Sequence, residues 1–336
     1  MDKNRIEWID LCKCIGIIAM IWGHAGISEL GDKYIHAWHM PIFFIISGWL
    51  FNVKSDLSIK KYVLKKSKAF LIPYFCFGLI NSIYILEYYG KGESISSVRS
   101  LLWINSSGLI VVGALWFLTS IFFVEVTFFF IFKKIREKRL IGFIIILIGL
   151  VGYYCSEFTG TRLFWSADIS MSGIVFYYLG YFFNIKKDEI VMKRILNPTI
   201  LETILVVTIG VVLAFFNNSV DMRTLTYGNI ILYYLNAIII SIGYIMFSNL
   251  IIKFKNIKIL RKLLNFALYI GANSIVYLVL NEIIINMFQF ILKNFTNDIF
   301  GMFGAYKVII VIAIITLASI LINKWLPIVI GKSRKI

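Results

Sequence analysis

The chain has 336 residues, 60% of them apolar and only 15% charged, with 34 Lys and Arg against 18 Asp and Glu for a net charge of +16. Soluble domains run at about 45–50% apolar and about 25% charged, so a water-facing globular surface is excluded, as are disorder and a disulfide scaffold. An all-α, polytopic membrane protein remains.

A spanning helix needs about 20 mostly apolar residues. On that measure about ten spans are predicted, at 9–28, 35–53, 70–88, 109–132, 140–155, 170–185, 199–216, 229–252, 264–292 and 304–323. The polar stretches between them alternate in charge. Twenty-six of the 34 basic residues fall in the N-terminus and in 54–68, 133–139, 186–194, 253–262 and 324–336. Seven fall on the other side, and Lys13 lies within the first span. Cytoplasmic loops carry such an excess, so both termini are expected in the cytoplasm. Basic charge spread over every inner loop also argues against nucleic acid as a partner. The first apolar run contains His24 and is followed by no small-residue cleavage pattern, so it reads as a retained helix. No repeat, linker or long loop appears, and residues 1–336 are expected to form one membrane domain. Cys12 and Cys14 diverge by about 200° on a helix and read as packing residues, as do Cys76 and Cys155.

Ionisable residues inside spans are costly and therefore informative. The first span carries Asp10, Lys13 and His24. Eleven residues separate Lys13 from His24, three turns plus about 20°, so they share a face about 16 Å apart along the axis. Asp10 sits one turn before Lys13 on that stripe and can act as a helix cap paired to it. Lys13 can snorkel to the inner interface. The expected face is one that points away from lipid. His36 and His39 follow near the outer start of the second span, at i,i+3. Three imidazoles at one depth suit zinc, but no acidic partner lies nearby in the sequence, and no metal is expected.

The second span continues through Pro41 to Ser47-Gly48, a pair that allows close helix approach. Next comes a basic stretch, Lys60-Lys61-Tyr62 and Lys65-Lys66-Ser67-Lys68, leading to Leu71-Ile72-Pro73-Tyr74. It suits either anionic lipid or a bound phosphate. The fourth span holds Trp116 and, deeper, Glu125. Asp168 precedes the sixth and can cap it. The ninth carries Gly271-Ala272-Asn273-Ser274 and then Asn281-Glu282. Glu125 and Glu282 are buried acids that need partners, for which Lys13 and His24 are candidates.

In this order, the blocks resemble the acyltransferase 3 family of integral membrane acyltransferases, and within it the fucose 4-O-acetylase-like branch. The likeness rests on Arg5-Ile6-Glu7-Trp8-Ile9-Asp10 leading to Lys13 and His24, on His39-Met40-Pro41 through Ser47-Gly48, and on the basic run ending in Leu71-Ile72-Pro73-Tyr74. Leu115-Trp116-Phe117-Leu118, Trp165 to Tyr181 and Gly271-Ala272-Asn273-Ser274 complete it, so it covers nearly the whole chain. The resemblance implies transfer of an acetyl group from cytoplasmic acetyl-CoA, a substrate rather than a resident cofactor, to a hydroxyl of an envelope glycan or its lipid-linked precursor. It implies a multi-pass protein of the cytoplasmic membrane. By the same resemblance His24 is the catalytic residue and Lys13 its paired base, while Lys65 and Lys68 match the family's basic pair for the donor. Asp10, His39, Trp116, Asp168, Asn281 and Glu282 are expected as supporting or acceptor-side residues. Two departures stand out. Lysines replace the commoner arginines at 65 and 68, which removes bidentate phosphate binding. Asn281 stands where many members have a histidine; it can orient a substrate but not move a proton.

The residues themselves agree with this reading. Cations inside can hold the donor's phosphates, and an imidazole about 16 Å outward on the same face can take the acceptor's proton or first accept the acetyl group. The rival is a transporter or flippase for a glycan or small solute, since intramembrane Asp, Glu, Lys and His also build relays. The chain halves show no internal symmetry to support it. No P-loop, GxSxG or HExxH pattern is present.

Overall fold

In hydrocarbon every backbone N–H and C=O must bond within its own segment, and an apolar helix does this residue by residue. The computed structural model describes residues 5–52, 57–109, 111, 113–160, 162–293 and 304–333, and Lys3, Lys54, Arg334 and Lys335 of the charge count lie outside them. Among the described residues the architecture is helical, and its β-structure is a single isolated bridge between Asp221 and Thr226. The helices are α1 (Glu7–Ala25), α2 (Glu29–His36), α3 (Pro41–Trp49), α4 (Ile59–Lys66), α5 (Ile72–Tyr89), α6 (Lys91–Leu102), α7 (Asn105–Gly108) and α8 (Trp116–Lys134). They continue as α9 (Lys138–Tyr154), α10 (Ala167–Ile185), α11 (Ile190–Leu196), α12 (Ile200–Phe216), α13 (Ile230–Lys253), α14 (Lys258–Ala272), α15 (Ser274–Lys293) and α16 (Gly304–Trp325).

Among the described residues six stretches are long and apolar enough to cross a membrane, and two bent pairs qualify if each is one span. Other parts of the about ten expected spans do not qualify on length and composition, for identifiable reasons. The stretch 35–53 is no continuous span, because the helix breaks into a turn before Pro41 and α3 lasts nine residues. Helix α10 has nineteen residues but carries Asp168, Asn184 and three tyrosines, which leave it too polar. The stretch 264–292 is bent by 84° between α14 and α15, where Asn273 leaves helical geometry. Helices α11 and α12 meet at 94°, with Pro198 in the break.

The chain packs into two compact units. The first comprises Met1–Phe51, Phe176–Met222 and Thr226–Ser274; the second comprises Asn52–Val175, Arg223–Leu225 and Ile275–Ile336.

In the first unit, α1 packs along α14, α13 and α3. Its apolar residues Ile9, Ile17 and Ile21 are buried, Trp8 meets Trp49 edge-on at 5.1 Å, and the Cys12 thiol donates to Ser248 Oγ at 3.1 Å. Helix α3 lies backbone to backbone against the C-terminal half of α10. A Cβ at Gly48 would overlap the Tyr177 carbonyl oxygen, and one at Gly180 would overlap that of Ile45. The close approach expected at Ser47-Gly48 is therefore present, with a glycine from each helix.

In the second unit, α4 runs into α5 through a π-helical turn, Ser67–Leu71, so that Ile59–Tyr89 is one 31-residue helix. The residues expected to form an inner loop are thus partly helical. Pro73 has no N–H for the Ala69 carbonyl and its ring crowds that oxygen; a wider turn relieves both. Helix α6 folds back on α5, with Leu101 against Gly78 and Ser97 Oγ 3.4 Å from Ser82 Oγ.

Candidate functional site

The candidate residues divide between the two units. Asp10, Lys13, His24 and His39 belong to the first; Lys65, Lys68, Trp116, Asp168, Asn281 and Glu282 belong to the second.

Helix α1 begins with Glu7 and Asp10 in its first turn, where negative charge meets the positive end of the helix dipole. Asp10 is buried. Its two oxygens face two cations: Arg5 Nε is 3.7 Å from Oδ2 and Lys13 Nζ is 3.8 Å from Oδ1. Both separations exceed a hydrogen bond, so the pairing is electrostatic and leaves the donors' hydrogens available. Arg5 also approaches the Ala272 carbonyl at 3.4 Å, at the C-terminal end of α14. Beside it, a Cβ at Gly271 would overlap the Asp10 carbonyl oxygen. This explains a glycine at 271: α14 can touch the α1 backbone only without a side chain there. The i,i+3 pairing of Asp10 with Lys13 read from the sequence is present, and Arg5 joins it.

At the far end of α1, His24 stands exposed in the last turn, although Ile17 and Ile21 on the same stripe are fully buried. His24 is therefore an accessible imidazole at the end of a buried stripe. The other two histidines gather nearby. A Cβ at Gly23 would lie 3.9 Å from the His36 ring, and the rings of His36 and His39 are 5.0 Å apart at 85°. His36 Nδ1 is 3.0 Å from the Asp32 carbonyl and 3.2 Å from its carboxylate, and the buried His39 donates from Nδ1 to the Ile35 carbonyl at 2.8 Å. Among the described residues no three His, Cys, Asp or Glu are grouped to hold a metal ion.

In the second unit, Lys65 and Lys68 are both exposed at the π-turn. Lys66 turns the other way. Its Nζ is 2.7 Å from Glu125 Oε1 on α8, and the Tyr62 hydroxyl donates to Oε2 of the same carboxylate. Tyr62 stacks on Phe129 with centroids 4.0 Å apart. Sequence reasoning offered Lys13 or His24 as partners for Glu125; the partners found are Lys66 and Tyr62. One feature of the sequence is compatible with this: the i,i+4 spacing of Tyr62 and Lys66, which puts both on one helix face.

The remaining candidates, Asp168, Trp116, Asn281 and Glu282, all belong to the second unit. Asp168 is buried and accepts from Arg162 Nε at 2.6 Å and from the Leu163 N–H at 3.3 Å, closing the loop before α10. Inside that loop Trp165 and Ser166 hold left-handed conformations, φ 50° and 57°, which non-glycine residues keep only when their surroundings impose them. The constraint is visible: Trp165 N–H donates to the Trp103 carbonyl at 2.9 Å, and Ser166 donates to Asn105 Oδ1 at 2.6 Å. Asn105 in turn donates to Tyr74 and Thr119. Arg223 Nε closes the set on the Ser106 carbonyl at 2.6 Å. None of Asn105, Arg162 or Arg223 was singled out from sequence. Glu282 accepts the Ala114 N–H at 3.2 Å, just before α8, beside the buried Trp116 at its first position. Asn281 is fully buried; its Nδ2 donates to the Leu278 carbonyl at 2.6 Å, while its Oδ1 has no partner among the described residues.

Against this geometry, the model of the acyltransferase 3 family, described as an acyltransferase domain, matches residues 6–324. The chain belongs to that family. It is a membrane acyltransferase, and the helices that bear the charges above all lie within the matched region. No curated protein and no solved structure matches the chain.

Proposed function

We propose that this acyltransferase is an O-acetyltransferase, similar to the fucose 4-O-acetylase-like branch, that moves acetyl from cytoplasmic acetyl-CoA to a hydroxyl of an envelope glycan or its lipid-linked precursor. One observation carries the reading. In a chain of this family, a single helix presents a cation cluster at one end and an accessible imidazole, in a group of three, at the other. Positive charge suits a donor with phosphates, and an imidazole suits the proton and acyl movements of ester formation.

In this reading both termini are cytoplasmic and the protein resides in the cell membrane. Lys65 and Lys68, exposed at the π-turn, hold the phosphates of the donor, and Lys13 lies on the donor side of α1. His24 acts in one of two ways. As a base it takes the hydroxyl proton while the alkoxide oxygen attacks the thioester carbon, and the C–S bond breaks to release a thiolate that is then protonated. As a carrier its ring nitrogen attacks the thioester carbon and the C–S bond breaks to release the thiolate, which is protonated from solvent; the acceptor oxygen then attacks the N-acetyl carbon, the C–N bond breaks with its electron pair on the ring, and the hydroxyl proton is lost to solvent. Asn281, whose side-chain carbonyl oxygen has no partner among the described residues, serves acceptor orientation. No tightly bound cofactor is required.

The test is His24→Ala at matched expression, with mass spectrometry of surface glycans. Loss of one acetyl mass per modified residue, equal to that in a deletion strain, is expected. Normal acetylation with His24→Ala refutes the assignment, and polymer missing altogether from the deletion strain supports a transporter or flippase instead. Orientation is checked separately: cysteine labelling from outside should reach a probe at Lys91 or Asp221 and miss one at Lys134 or Lys138.

A further inference from the structure

The mechanism above uses one histidine of the three that converge. The tautomers of the other two follow from their partners. A carbonyl oxygen only accepts, so the His39 nitrogen 2.8 Å from the Ile35 carbonyl carries the proton, and in the neutral ring the basic lone pair lies on Nε2. His36 repeats the arrangement on the Asp32 carbonyl at 3.0 Å, with the half-exposed Asp32 carboxylate 3.2 Å from the same nitrogen. Each contact spans i to i−4, so helical geometry sets both rings. His39 is buried, with Trp38 beside it fully buried against Tyr244 at 4.2 Å between centroids, and that packing holds the turn in place.

From this geometry we infer that His39 is a second functional imidazole: it takes the proton of the acceptor hydroxyl on Nε2 and passes it through His36 toward Asp32 and water. The inference rests on the acyl-transfer reading. In the step, the O–H bond breaks toward His39, the oxygen forms a bond to the acetyl carbon, and the electron pair of the breaking bond leaves with the thiolate or with His24. The thiolate is protonated from solvent, and the proton on His39 leaves through the half-buried His36. Beside His39 lie His36 and His24. On α2, Lys33 is held by the Phe215 carbonyl at 3.2 Å and Tyr34 by Tyr244 at 2.8 Å, and the Asp32 carboxylate lies 3.2 Å from His36 Nδ1. With His39 as base, His24 has the acetyl-carrying role.

The experiment uses membranes containing the full chain, radiolabelled acetyl-CoA as probe and the endogenous acceptor. His39→Gln can still donate to the Ile35 carbonyl but has no basic nitrogen. Its initial rate should fall about 100-fold, within the range a general base contributes, with the KM for acetyl-CoA unchanged within about twofold and thermal stability retained. His39→Ala leaves a ring-sized space, and added imidazole should restore its rate at least about tenfold. A His39→Gln rate near wild type beside an inactive His24→Ala overturns the inference and leaves the acyl-transfer reading standing. A loss in His39→Ala that imidazole does not restore makes His39 a packing residue and overturns it as well. Full activity in His24→Ala defeats the underlying reading itself.

Discussion

Asp10 and Glu125 are both buried carboxylates facing cations, one in each unit, yet they are built differently. Asp10 faces two cations at 3.7 and 3.8 Å, both near it in sequence and neither in hydrogen-bond contact. Glu125 is gripped by Lys66 at 2.7 Å and by the Tyr62 hydroxyl, from a helix about sixty residues earlier. A tight, saturated acid joins helices together. A loosely paired one keeps cations in place without exhausting them, which is what a binding site for an anionic donor requires.

The largest effect should come from breaking the tight member. Glu125→Ala strands Lys66 and Tyr62 against apolar neighbours, and losing one partner of a buried pair costs about 3–5 kcal/mol. Thermal unfolding in detergent is expected to show it, and Glu125→Leu combined with Lys66→Met should recover most of the loss. A stable Glu125→Ala protein would erase the distinction. Next in size is the exposed pair beside Lys66. Replacing Lys65 and Lys68 together by Gln should raise the KM for acetyl-CoA about tenfold with kcat little changed, the mark of lost uniform binding. Unchanged KM returns those lysines to lipid anchoring. The smallest change in stability is expected for Asp10→Asn, about 1 kcal/mol or less, because its pairs are long. Its acetyl-transfer rate should nevertheless fall, since Arg5 and Lys13 lose the charge that orders them. A stability loss matching that of Glu125→Ala would make the two acids equivalent.

What was readable from sequence follows the range of the interactions. Helical class, costly intramembrane charges, the Asp10–Lys13 pair and the close approach at Gly48 all depend on composition or on neighbours within one turn or one helix. The partners of Glu125 did not emerge, because pairing across helices depends on packing that periodicity does not encode. Of the about ten expected spans, six to eight qualify by length and composition among the described residues; at Pro41 and Asn273 a run of apolar residues conceals a break. The Asn105–Ser166 and Arg223–Ser106 bonds were invisible for the same reason: each joins loops far apart in the chain. The convergence of His36 and His39 was half legible, as i,i+3 spacing without the backbone acceptors that set their tautomers.

The π-turn at Ser67–Leu71 amounts to one surplus residue in an otherwise regular helix. One residue in an α-helix is about 100° of rotation and 1.5 Å of rise. Everything before the turn is therefore dialled by that angle relative to α5, which is what sets Lys66 toward Glu125 while Lys65 and Lys68 look outward. A chain one residue shorter here would keep its composition, its hydropathy and all its lysines. Its helix would nevertheless present a different lysine to the acid, and the paired and exposed lysines would trade places.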